Sequence, residues 1–264
     1  MASETVHTRI WLEEPEEDNP FAVRAAFCHG YDVYGDMLPQ ARWVEMLYLL
    51  FRGEAPDAMQ ARLLEMLAVA LANAGPRDPA NHAAMCAGVG GSPAAAALMA
   101  ALAVGAGQYT GAREIHHAMQ LWADCGTDFN AWQAQLKALA MEEPSSIWPQ
   151  CQHAPGFDPN GTRIASIVQQ SMDHLVRQGG APRLAWLAEH RNALEALADG
   201  PLTLAGVAAA ALADLGFSAE QGEMLYLLLR LPGAAAHALE QRGGSYKNFP
   251  FFEVELQDDP GAAR

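Results

Sequence analysis

The sequence predicts an all-α protein. Apolar residues recur at helical spacing along most of the chain, start and stop residues bracket those segments, and alternating strand patterns are nearly confined to the two ends. Taken in order, residues 6–12 alternate as a strand would. Residues 38–51 place Trp43, Met46, Leu47, Leu50 and Phe51 on one helical stripe, and Gly53 ends it. Ala55-Pro56-Asp57 then punctuates before a helix at 58–72. Asp78-Pro79 supplies an N-cap and a first-turn proline for a third helix, to about Cys86. Ser92-Pro93 does the same for an alanine-rich helix reaching about Ala106. Further amphipathic segments cover about 112–123, 128–141, 162–178, 182–198, 203–214, 218–230 and 232–241, and 251–256 alternates again. The stretch 142–160, rich in proline and polar residues, predicts a long loop, and Asp199-Gly200-Pro201 a shorter break.

Composition narrows the function classes. The 264 residues can form one large domain or two small ones, and 51% hydrophobic content with a mean hydropathy of -0.03 argues against disorder. Sixteen basic against 31 acidic residues give a net charge of -15, which argues against nucleic-acid and anionic-membrane partners. Cys28, Cys86, Cys125 and Cys151 form no close pair, and the N-terminal residues carry no apolar leader. Both point to reduced thiols in a cytoplasmic chain. The apolar runs 93–107 and 201–216 are shorter than the ~20 residues a bilayer span needs, so no membrane role is expected.

Six collinear segments resemble the citrate synthase superfamily. Gly30-Tyr31-Asp32 through Leu38 is similar to that family's R-G-Y-D-x-x-x-L entry to its first large helix. Glu45-Met46-Leu47-Tyr48-Leu49-Leu50-Phe51-Arg52-Gly53-Glu54-Ala55-Pro56 resembles its E-x-L-Y-L-L-x-x-G-E-x-P segment. Gly111-Ala112-Arg113-Glu114 resembles the end of H-G-G-A-N-E. Ala154-Pro155-Gly156-Phe157-Asp158-Pro159 looks like a shortened P-G-F-G-H…D-P-R loop. Ala213-Asp214-Leu215-Gly216-Phe217, and the run from Arg230 to Glu240, resemble its C-terminal helices. Chain length and the Tyr246-Lys247-Asn248-Phe249-Pro250 ending are more similar to the compact citryl-CoA lyase branch.

The resemblance implies a large helical domain (1–114 with 206–264), a smaller inserted one (115–205), a cleft between them and a homodimer. The small side chains of 93–107 suit the close helix approach that such a dimer needs. It also implies chemistry that joins or splits a carbon–carbon bond between an acyl-CoA and a 2-oxoacid, with no resident cofactor and no metal. In the family an Asp takes the α-proton of the thioester, one His bonds the enol oxygen, and a second His polarises the ketone. Matched by position, Tyr109 stands for the first His, the second is missing after Phe157, and Ala205 stands for the Asp. Tyr109, His117, His153 and Asp158 are the candidates for a rebuilt catalytic set, with a surface or turn role as the rival reading of each. His116 competes with His117, since adjacent helical positions diverge. Arg113, Arg163 and Arg242 are candidates for holding carboxylates or CoA phosphates in bidentate fashion. Two readings follow: an acyl-CoA lyase or synthase with a rearranged site, or an inactive homologue that binds a CoA thioester, a di- or tricarboxylate, or a partner.

Other features are weaker. His82 and Cys86, at i and i+4, suit two metal ligands, and Cys28-His29 suits an activated thiolate; a core role is the rival for each. Gly88, Gly90 and Gly91 follow no strand and predict close helix packing or a turn. His237 is expected at a packing seam.

Overall fold

The computed structural model describes residues 7–141, 153–244 and 247. The expected strand at 251–256 and the first part of the 142–160 loop lie outside the described residues. Helices dominate, as the periodicity requires. Helix α1 (Trp43–Arg52) closes on Gly53, whose φ of 77° is the left-handed conformation that glycine adopts without cost. Helix α2 (Ala58–Leu71) opens on a reciprocal cap between Asp57 and Gln60. Helix α3 (Pro79–Val89) opens on Asp78, whose carboxylate accepts from the N–H groups of Ala80 and Asn81. The helices α4 (Ala94–Gly105), α5 (Ala112–Cys125), α6 (Phe129–Met141), α7 (Ser166–Gln178), α8 (Pro182–Ala198), α9 (Leu204–Asp214) and α10 (Ala219–Arg242) follow.

The departures from expectation have local causes. The N-terminal strand sits at β1 (Trp11–Pro15), later than 6–12, and pairs antiparallel with β2 (Val23–Cys28), which in turn pairs with β3 (Tyr31–Asp32). The acidic run from Glu13 to Asp18 hid this hairpin, because a half-exposed edge strand tolerates charge. Residues 33–37 form a π-helical turn capped by the Asp32 carboxylate, so α1 begins at Trp43 rather than 38. Residues 162–165 lie ahead of α7. Pro232 does not separate two helices: α10 continues through it.

The chain divides into two compact units, residues 1–72 with 106–230 and residues 73–105 with 231–264. These packing boundaries differ from those of an inserted 115–205 domain. In the first unit α9 (LAGVAAAALAD) is buried from Ala205 to Leu212 and packs against α5, α7 and α8. Its alanines let those helices approach closely, and Tyr48, Ile115, Trp122, Leu184 and Leu212 fill the surrounding core. In the second unit α3 packs on α4. A Cβ on Gly88 would fall on the Ala238 carbonyl oxygen, so the expected close-packing role for this glycine holds. His237 sits between Asn73 Oδ1, 3.1 Å away, and Glu240 Oε2, 3.4 Å away.

Candidate functional site

The site lies in the first unit, where the start of α5 meets residues 153–158 and the start of α9. Gly156 has φ 90°, and a Cβ there would sit 2.8 Å from Gly206 Cα, so two glycines are needed for this crossing. The Gly156 carbonyl accepts from both the N–H and the hydroxyl of Thr203, each at 2.9 Å. Thr203 is the N-cap of α9, its hydroxyl oxygen accepting from the Gly206 N–H at 3.2 Å. Phe157 bridges to Leu202, and the Asp158 N–H reaches the Pro201 carbonyl at 2.9 Å. The 153–158 segment is thereby tied to the α9 cap, whose first turn holds the buried Ala205.

This docking brings two of the candidate side chains together. The Tyr109 and His153 rings stack with centroids 5.6 Å apart and planes 24° from parallel. Tyr109 is 54% exposed, whereas the His153 side chain is 6% exposed, so the phenol is the outer member of the pair. Behind them Glu114 Oε1 lies 3.8 Å from His153 Nε2 and accepts from the Gly156 N–H at 3.0 Å. Its other oxygen accepts from the Thr110 N–H at 2.7 Å. Glu114 was not a candidate by sequence. Its signal was a carboxylate in the first turn of a helix, where it can bond N–H groups left open.

The other candidates make different contacts. The Asp158 carboxylate accepts from the Asn160 N–H at 2.9 Å, the turn role that rivalled a chemical one. His117 contacts Gln120 Oε1 at 3.3 Å, and burial holds its imidazole below the ordinary value of 6.5. His116 is the buried member of the pair. Its Nδ1 is 3.3 Å from Glu223 Oε2, within ion-pair range but off hydrogen-bond alignment. Arg113 pairs with the same carboxylate at 3.1 Å. Arg163 is exposed and borders a cavity of about 330 Å³ with Thr162, Glu195, Asp199 and Pro201. Arg242, in the second unit, donates to the Ser92 carbonyl at 2.7 Å. Arg230, not among the candidates, lies over the Tyr226 ring at 4.8 Å and reaches the Thr110 carbonyl at 3.4 Å.

The remaining motifs resolve simply. Cys28 is buried and burial pushes its thiol above 9.0, the opposite of an activated thiolate. Among the described residues no three His, Cys, Asp or Glu side chains are grouped to hold a metal ion, His82 and Cys86 included. No helix among them is long and apolar enough to cross a membrane.

The fold itself defines the class: a mostly helical, citrate synthase-like architecture. Three solved structures are similar to it over nearly the whole chain. Citryl-CoA lyase from Hydrogenobacter thermophilus aligns with a TM-score of 0.71 at 17% identity, covering 98% of this chain and 99% of that one. ATP citrate lyase from Methanothrix soehngenii, in complex with citrate and coenzyme A, aligns with a TM-score of 0.71 at 16% identity over 98% of this chain and 43% of that one. An ATP citrate lyase variant from Methanosaeta concilii, in complex with (3S)-citryl-CoA, gives a TM-score of 0.70 at 16% identity, covering 97% and 43%. No family model and no curated sequence matches the chain.

Proposed function

We propose that this chain acts on an acyl-CoA joined to a di- or tricarboxylate, in the manner of a citryl-CoA lyase, with Tyr109 and His153 in place of the superfamily's usual pair of histidines. The observation that supports it is the convergence of Tyr109, His153 and Glu114 on this fold. Cleavage needs few groups. A base takes the proton of the adduct's hydroxyl, the carbon–carbon bond breaks, and its electron pair enters the thioester carbonyl as an enolate. The enolate carbon then takes a proton, releasing a 2-oxoacid and an acyl-CoA. In this assignment His153 is the base, and the Tyr109 phenol donates to the developing enolate oxygen, an effect worth about 2.7–4 kcal/mol per donor. The carboxylate that the family uses takes the α-proton in synthesis. In cleavage the same group returns that proton to the enolate carbon; with Ala205 in its place, water carries the proton in both directions and both are slowed alike.

Arg113 and Arg230 flank this segment and suit the ligand's carboxylates, and Arg163 the more distant phosphates. We place the protein in the cytoplasm as a homodimer, with 115–205 as the inserted domain. The test supplies citryl-CoA and follows oxaloacetate release by coupled NADH oxidation. Turnover lost in His153→Ala, and reduced about 10²-fold or more in Tyr109→Phe, supports the assignment. A second reading, an inactive ligand-binding homologue, is favoured by Ala205 and by the engaged Asp158 carboxylate. It requires that citryl-CoA raise the melting temperature by mass action without turnover.

A further inference from the structure

A carboxylate as buried as that of Glu114, 2% exposed, is costly unless its oxygens are satisfied. Both are, and by different parts of the chain. Oε2 takes the Thr110 N–H, next to Tyr109, as a helix-start carboxylate ordinarily would. Oε1 is turned to a loop 42 positions away, where it takes the Gly156 N–H at 3.0 Å and lies 3.8 Å from His153 Nε2. A side chain serving only to start α5 has no need of that second set.

We infer that Glu114 is the positioning residue of the Tyr109–His153 pair. It fixes the segment carrying the phenol to the segment carrying the imidazole, and it supplies the anionic partner that orients the His153 ring. The inference rests on the assignment of Tyr109 and His153 to ligand chemistry. Gln at this position has a single acceptor oxygen and turns an amide N–H2 toward one of the two backbone N–H donors, so one tie is lost. Asp keeps the charge but is a methylene shorter, so it cannot hold both segments at their present separation.

The test compares the full-length protein with Glu114→Gln, Glu114→Asp and His153→Gln. Two readouts need no turnover: the ring resonances of His153 in long-range nitrogen–proton spectra, and hydrogen-exchange protection at the Gly156 and Thr110 amides. In Glu114→Gln the ring resonances move and protection falls at one or both amides; Glu114→Asp gives smaller changes of the same kind. With citryl-CoA, kcat falls at least about tenfold while KM moves less, and adding Glu114→Gln to His153→Gln costs little more, because Glu114 acts through His153. Unchanged ring resonances and protection in Glu114→Gln overturn the inference, as does full additivity with His153→Gln. If Glu114→Gln does not fold, Glu114→Asp decides: ring resonances and kcat equal to the native protein's overturn it. A native protein that never turns over citryl-CoA removes the functional assignment instead, and the spectra still report on the tie.

Discussion

Thr203→Val tests how firmly the 153–158 segment is held. The Thr203 hydroxyl donates to the Gly156 carbonyl at 2.9 Å and accepts from the Gly206 N–H at 3.2 Å. Valine keeps the branched shape and removes both bonds, leaving the Thr203 N–H on Gly156 in place. Loss of the cap costs about 0.5–2 kcal/mol, and loss of the neutral hydrogen bond about 0.5–1.5 kcal/mol. The expected total is about 1–3.5 kcal/mol, or about 2–14 °C of melting temperature for a chain of this size. Urea denaturation followed by tryptophan fluorescence reads it directly, since the packed Trp122, Trp132 and Trp186 belong to the same unit. Thr203→Ser keeps the hydroxyl and stays within about 0.5 kcal/mol of the native protein. A valine variant as stable as the native protein, or a serine variant as damaged as the valine one, refutes the tie.

Other consequences are equally concrete. Gly88→Ala drives a methyl into the Ala238 carbonyl and costs about 1–3 kcal/mol, whereas Gly90→Ala, at φ -72° and with 3.4 Å to the nearest atom, gains about 0.4–1 kcal/mol; paired denaturation curves separate them. His29→Asn stabilises by about 0.5–1 kcal/mol. The position is left-handed at φ 49° in the tight turn before Gly30, and the buried His29 Nε2 lacks a hydrogen bond. His117, held below 6.5 by burial, binds its proton more readily in the unfolded chain, so its contribution is full above 6.5 and is lost as pH falls through the folded value. The stability margin over His117→Gln therefore narrows on acidification, measured by denaturation at several pH values; a margin constant with pH contradicts this.

What the sequence disclosed follows from the range of the forces involved. Asp57, Asp78, Gly53 and Thr203 act on backbone groups within a turn of themselves, so helix ends could be read locally. The β1–β2 hairpin could not, because its pairing depends on partners across a chain reversal and its edge carries Glu13 and Glu14. Pro232 reads as a break only if its turn has nothing else to hold it, and α10 runs on to Arg242. At the site, Tyr109 and His153 were legible as residue types displaced from a known pattern. Their meeting, and the Glu114 carboxylate behind them, arise from the Gly156–Gly206 crossing, a contact that no local pattern encodes.

The most direct measurement is calorimetric titration of the protein with a non-cleavable citryl-CoA analogue, set beside Tyr109→Ala. Saturable binding, weakened at least about tenfold by loss of the phenol, a change of about 1.4 kcal/mol, is the expected result. No heat of binding, or equal affinity in the two proteins, means that the outward-facing ring beside His153 marks no ligand site.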